Sequence, residues 1–157
     1  MPGIAAIYAH EADTSPATFD LAGLPHEEWQ RQIDALDPAK GHLMLVALGD
    51  EDEVLGYAKS GTHRSRAAYD TTVETSVYVA RTAQRMGIGR ALYDELLERL
   101  ERLPAVRLAV AGMTDPNPAS RALHESAGFT YVGTFHAIGT KFGRGWDVSW
   151  FERPLAR

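Results

Sequence analysis

A chain of 157 residues with 45% hydrophobic content carries enough apolar mass for one good core and not for two, so one domain spanning residues 1–157 is expected. The 16 basic and 21 acidic residues leave a net charge of −5, which argues against electrostatic capture of nucleic acid or of an anionic membrane. The absence of cysteine removes disulfides, a thiolate nucleophile and thiolate metal ligation, and no apolar run approaches the ~20 residues of a membrane span. The N-terminal stretch MPGIAAIYAHEAD lacks the charged start and apolar core of a signal peptide, so a cytoplasmic protein with no bound metal is expected.

Ile4, Ile7 and Tyr8 have helical spacing and predict a short helix over about residues 3–11. A loop, TSPATFDLAG, follows. Pro25 opens a second helix through HEEWQRQIDAL, with acids in its first turn and Trp29, Ile33 and Leu36 as its apolar stripe; Asp37-Pro38 ends it. HLMLVALG reads as a buried strand, GDEDE as a turn and VLGYAKSGT as the hairpin partner. The break HRSRAAYD leads to the strand TTVETSVYVA. A third helix starts near Gly87, with Ile88, Ala91, Leu92, Leu96, Leu100 and Leu103 following the 3.6-residue period. Glu95 with Arg99 and Glu98 with Arg102 are i,i+4 pairs for its wet face, and Pro104 terminates it. RLAVAGM is the next strand, TDPNP a turn, ASRALHESAG a helix closed by glycine, and FTYVGTFHAIG and GWDVSWFERPL are two final strands. This order predicts an α/β or α+β arrangement, a single sheet covered by helices.

The turn QRMGIG before the third helix is the strongest chemical candidate. Free N–H groups at a helix start favour phosphate oxygens, and Gly87 and Gly89 let a ligand approach the main chain, with Arg85 and Arg90 adding positive charge. Two familiar nucleotide loops fail on spacing. A P-loop needs Lys-Ser/Thr after its last glycine, where this chain has Arg90-Ala91, and the third glycine of a dinucleotide fingerprint would fall at Leu92. A Gly-x-Gly before a helix is also compatible with a plain turn.

Gln84-Arg85-Met86-Gly87-Ile88-Gly89 resembles the Q/R-x-x-G-x-G/A signature of the GNAT acyltransferase superfamily. AAYDTTVETSVYV before it, NPASRALHESAGF after it and the ending GTKFGRGWDVSWF are similar to the phosphinothricin N-acetyltransferase branch, and the resemblance runs from IAAIYAHEADTSPATF onward. The resemblance implies a mixed, mostly antiparallel sheet splayed at its centre, with acetyl-CoA entering between the strand of Glu74 and strand 107–113. The backbone over Val77, Tyr78 and Val79 would then meet the pantetheine arm. Main-chain N–H groups of Arg85, Met86, Gly87, Ile88, Gly89 and Arg90 would hold the pyrophosphate. Asn117, with Ser120 one turn into the following helix, matches the cofactor-contacting asparagine position; an Asn-Pro turn is the other reading of Asn117.

An alkylammonium has no lone pair, so an amine acceptor must lose a proton before it attacks the thioester. Glu74 shares its strand face with Ser76 and Tyr78, opposite Val73, Thr75, Val77 and Val79. The resemblance assigns Glu74 as general base, directly or through one water, and a partly buried carboxylate there would have a raised pKa. His124 stands in ALHESAGF where relatives place the group that assists the leaving thiolate; it either does so or orients Glu74 across the site. Arg64, Arg66 and Tyr69 match the loop that faces an amino-acid-like acceptor, and guanidinium groups suit carboxylate, phosphinate or sulfone oxygens. Phe19 resembles a residue of the loop over the acceptor, and Trp146 with Asp147 match a recurring segment. Ala67 replaces a polar residue of some relatives, so substrate preference does not transfer.

Relatives usually begin with a strand that this chain lacks ahead of Met1-Pro2-Gly3, so the first edge strand is expected to be missing, through a truncated reading frame or with a homodimer covering the edge. The leading expectation is an acetyl-CoA-dependent N-acetyltransferase for a small amino-acid analogue such as phosphinothricin, methionine sulfoximine or methionine sulfone, acting by direct attack in a ternary complex. The alternatives are a GNAT enzyme for protein N-termini or polyamines, which Arg64 and Arg66 disfavour, and a CoA-binding sensor without turnover, which Glu74 and His124 disfavour.

Overall fold

The computed structural model describes residues 2–155; Met1, Ala156 and Arg157 of the expected domain lie outside the described residues. Helix α1 (Pro2–Thr14) runs three residues beyond the expected end, and buries Ile4, Ile7, Tyr8 and Ala12. Helix α2 (His26–Asp34) carries Glu27 and Glu28 in its first turn, where the helix dipole favours them, and buries Trp29. It stops two residues short of Leu36. Asp37 is extended, as a residue before proline must be, and its carboxylate accepts the Ala39 N–H at 3.1 Å to cap the 3₁₀ turn Pro38–Lys40.

Strands β1 (Leu43–Leu48), β2 (Val54–Thr62) and β3 (Thr72–Val79) form an antiparallel meander, in register from Gly56↔Val79 to Thr62↔Val73 on the inner pair. Helix α3 (Ile88–Glu101) carries the chain over to strand β4 (Leu108–Asp115), which lies parallel to β3, as a crossover connection requires. Thr114 and Asp115, expected in a turn, continue β4 because they pair with Val148 and Asp147 of the last strand. Helix α4 (Pro118–Ser126) leads to a closing hairpin of β5 (Thr130–Lys141) and β6 (Arg144–Pro154). β5 extends two residues past Gly139, up to the tight turn at Phe142 and Gly143, where both φ angles are positive. The order across the six-stranded sheet is β1-β2-β3-β4-β6-β5, so β1 and β5 are its edges. This is the mixed, mostly antiparallel sheet that the resemblance implied.

The splay is visible in the ladders. β3 and β4 pair only at Thr72↔Leu108, Val73↔Ala109 and Glu74↔Val110, while β4 stays on β6 as far as Asp115↔Asp147. Beyond Glu74 the two central strands part. Helices close both faces. The α3 and α4 side holds the larger core, with Val73, Leu92, Leu96, Leu100, Ala109, Phe129 and Phe151, and the α1 and α2 side holds Ile4, Ile7, Tyr8, Trp29 and Tyr57. The buried positions of α3 are Leu92, Tyr93, Leu96, Leu97 and Leu100, whereas Ala91 is exposed and Leu103 packs from just beyond the helix. A helix lying on a sheet buries a stripe wider than one residue per turn, which brings in Tyr93 and Leu97. Expected ion pairs form on its wet face, Arg99 with Glu95 at 2.7 Å and Arg102 with Glu98.

Candidate active site

The parting of β3 from β4 leaves main-chain groups free on one side of β3. Ala80 N–H donates to the Leu55 carbonyl of β2 at 2.8 Å, so alternation turns the amides of Tyr78 and Ser76 toward β2 and those of Val77 and Val79 toward the gap. Val77 and Val79 are half-buried, at the wall of an open cleft. The Tyr78 side chain is occupied elsewhere. It stacks on Tyr57 with centroids 5.4 Å apart and meets Tyr8 edge-on at 5.5 Å, and burial pushes its hydroxyl pKa well up.

The cleft leads to the start of α3. The first helical bond runs from Ala91 N–H to the Gly87 carbonyl at 3.0 Å, which leaves the N–H groups of Ile88, Gly89 and Arg90 without intrahelical acceptors. Arg85 and Gly87 both have positive φ, 63° and 77°, and Arg85, Met86 and Gly87 are exposed. A Cβ at Gly89 would lie 3.3 Å from Leu123 and 3.6 Å from Val79, so glycine lets α3 seat against α4 and β3 at the cleft mouth. Arg90 is held by Asp94 at 2.7 Å. Loop, helix dipole and unbonded strand edge thus form one continuous main-chain surface with donors for an anion at one end and strand-like pairing groups at the other.

Glu74 sits where β3 and β4 stop pairing, half-buried, with 41% of its side chain exposed. It lines a cavity of about 390 Å³ with Gln32, His42, Met44, Lys59 and Ser76. Burial lowers the Lys59 pKa, with Asp20 and Glu74 pulling the other way, and the ammonium reaches Gln32 Oε1 at 3.4 Å. The nearest partner of Glu74 is His63, whose Nδ1 is 3.0 Å from Oε2. Spacing and resemblance both missed His63, because it stands in a loop with no period. Hairpin register would have found it. With Thr62 opposite Val73, the next residue out is diagonal to Glu74 on the same face.

A second cavity of about 480 Å³ is lined by His63, Arg64, Ser65, Arg66 and Tyr69, so the acceptor-loop residues do gather next to Glu74. Among the described residues, neither Arg64 nor Arg66 has a carboxylate partner. Phe19 lines neither cavity and packs on Gly139 of β5, where an added Cβ would come within 2.2 Å of its ring. Its loop is pinned by Lys141, 3% exposed, whose ammonium donates to the carbonyls of Ser15, Thr18 and Asp20 at 2.8, 2.9 and 2.8 Å. Trp146 Nε1 donates to the Lys141 carbonyl at 2.9 Å, and Asp147 accepts the Ala137 N–H at 2.7 Å, so this pair shapes the hairpin rather than either cavity.

The structure does not bring His124 to Glu74. His124 is 7% exposed on the α3 and α4 side of the sheet, and Glu74 faces the α1 and α2 side, so the idea that His124 orients Glu74 is corrected. Its Nδ1–H donates to the Ser120 carbonyl at 2.6 Å, which leaves Nε2 to accept from Tyr93 Oη at 2.9 Å; Tyr93 in turn is 3.2 Å from Thr75 Oγ1. Burial lowers its pKa and keeps the ring neutral. Asn117 caps α4, accepting the Ser120 N–H at 3.0 Å, a role its Asn-Pro position foreshadowed. Among the described residues no three His, Asp or Glu side chains gather into a metal-binding group.

The model of the acetyltransferase (GNAT) family matches residues 4–129. The chain belongs to the GNAT acetyltransferase family. Among curated GNAT relatives, a phosphinothricin N-acetyltransferase of Streptomyces coelicolor is 43% identical over 151 residues, covering 95% of this chain and 87% of the relative. An L-methionine sulfoximine/L-methionine sulfone acetyltransferase of Pseudomonas paraeruginosa is 34% identical, covering 99% and 89%. Among solved structures, a GNAT phosphinothricin acetyltransferase from Sinorhizobium meliloti, in complex with acetyl-CoA, superposes with a TM-score of 0.91 at 33% identity, covering 97% of this chain and 81% of that one. The GNAT fold therefore holds over nearly the whole chain.

Proposed function

We propose that this chain, as one domain over residues 1–157, transfers the acetyl group of acetyl-CoA to the amino group of a small amino-acid-like acceptor. The acceptor class is that of phosphinothricin, methionine sulfoximine and methionine sulfone, the substrates for which its relatives are named. The observation that carries the reading is the vertex of the sheet, where a carboxylate stands at the point at which β3 leaves β4, beside two uncompensated guanidinium groups. In this reading, pantetheine takes up the free groups of Val77 and Val79 in place of a strand. The N–H groups of Ile88, Gly89 and Arg90, with the Arg85–Gly87 loop, receive the pyrophosphate. Asn117 and Ser120 support it from the start of α4.

Arg64 and Arg66 bind the carboxylate and the phosphinate or sulfone oxygens and Tyr69 forms the wall, while Phe19, packed on Gly139, acts only by anchoring its pinned loop. Glu74 drives deprotonation of the amine, which then attacks the thioester carbon in the ternary complex; the tetrahedral intermediate expels CoA thiolate. His124 acts as a positioning residue that holds Tyr93 and Thr75 behind the cleft. A polyamine acceptor fits worse, since Arg64 and Arg66 repel a polycation. The enzyme works as a cytoplasmic homodimer, the compartment of acetyl-CoA, joined through edge strand β5, where Tyr131, Val132, Phe135 and Ile138 are more than half exposed.

Purified protein given acetyl-CoA should release CoA thiol with methionine sulfone or phosphinothricin and remain silent with spermidine or a peptide N-terminus. Tight acetyl-CoA binding with no turnover on any amine would make it a sensor instead. Glu74→Gln should lower kcat on the order of 10²–10⁴-fold with unchanged acetyl-CoA affinity, and full turnover would remove Glu74 from the reaction.

A further inference from the structure

We propose that the proton leaving the acceptor amine is taken by His63, with Glu74 as the carboxylate that orients the ring, so that the two act as one dyad. The inference rests on the acetyl-transfer reading and names the group that carries its proton. An ionised carboxylate only accepts hydrogen bonds, so the 3.0 Å contact between Glu74 Oε2 and His63 Nδ1 places the ring proton on Nδ1. The lone pair then resides on Nε2, which has no hydrogen-bond partner among the described residues. Two aromatic rings hold the imidazole in place, Tyr69 at 6.1 Å and Trp150 at 5.9 Å, both edge-on. Trp150 in turn lies over Gly112 of β4, where a Cβ would be 3.2 Å from the indole, so the ring stands at the sheet vertex.

His63 is only 18% exposed, yet it lines the cavity that holds Arg64, Arg66 and Tyr69. It therefore stands between the cavity expected to take the acceptor and Glu74, with Nδ1 on the carboxylate. The chemistry favours this division. A free imidazole is more basic than a free carboxylate, so it takes a proton from an ammonium with less of a penalty. In the step, an N–H bond of the ammonium breaks and the proton bonds to Nε2, giving an imidazolium paired with the Glu74 carboxylate. The freed amine pair forms the C–N bond, the C–S bond then breaks, and the second amine proton leaves with CoA as the thiol. Solvent later takes the proton from His63, so one proton is released per turnover.

The test separates proton uptake from mere support of Glu74. In His63→Asn the amide nitrogen stands near Nδ1 and still donates to Glu74, but nothing replaces Nε2. With methionine sulfone as acceptor, kcat should fall on the order of 10²-fold or more while acetyl-CoA affinity, which reports a folded cleft, is retained. The double variant His63→Asn/Glu74→Gln should lose no more than the worse single variant, as expected for groups acting as a unit. Near-wild-type kcat in His63→Asn, or losses that multiply in the double variant, would overturn the dyad. Should the wild type bind acetyl-CoA and acetylate no acceptor, the acceptor reading fails, and 15N shifts of the His63 ring decide the dyad. A neutral Nδ1–H tautomer that is lost in Glu74→Leu, which has no acceptor, supports it, and the same tautomer in both proteins refutes it.

Discussion

His124 shows how a side chain's bonds set its chemistry. Its Nδ1–H is committed to the Ser120 carbonyl and its Nε2 to the Tyr93 hydroxyl, and Phe151 stacks on its face at 5.5 Å, so the fold holds the ring neutral. Burial lowers its pKa from the ordinary 6.5. The unfolded chain, with the ordinary value, binds the proton more readily, so this contribution to stability is present above pH 6.5 and is lost as the pH falls through the lower folded value. Urea midpoints measured at pH 7.5 and 5.5, both chosen as roughly a unit either side of the free-imidazole value, should differ more in the wild type than in His124→Gln; equal differences would refute the assignment. Of the two residues of the proposed dyad, Glu74 was legible through the family resemblance, since a lone carboxylate on an alternating strand is by itself an ordinary solvated residue. His63 was not, because its position depends on the register of two strands and on Tyr69 and Trp150, which approach from separate parts of the chain.

Among the elements, α3 connects core and cleft. Its buried face locks it onto the sheet, and its first turn presents the free N–H groups at the cleft mouth. Leu96, fully buried between Leu92 and Leu100, should cost about 2–5 kcal/mol when replaced by alanine, read from the shift of a denaturant midpoint at constant slope. A loss below about 1 kcal/mol would mean that α3 is held by something other than this packing. The helix was legible from its period and its Gly87 start. The exchange of Ala91 for Tyr93 and Leu97 on the buried face was not, because the width of the stripe depends on the surface beneath it. The ends of β4 and β5 were missed for a related reason, since Thr114, Asp115 and Lys141 are strand residues only through their partners on β6.

For the whole molecule, the homodimer proposal places the partner on the sheet edge at β5, where Phe135 and Ile138 are exposed. Sedimentation should give a dimer for the wild type and a monomer for Phe135→Lys or Ile138→Glu, both exposed on β5; a monomeric wild type would end the homodimer proposal. By itself the sequence determined the order of helices and strands, the glycine turn at Gln84–Gly89 and the strand position of Glu74, because period, capping and turn chemistry act over a few neighbouring residues. Only the tertiary structure decided that β3 leaves β4 after Glu74, that His124 lies on the opposite face from it, and that His63 stands beside it. Each of those depends on strands and loops distant in sequence meeting in one register, which no local pattern encodes.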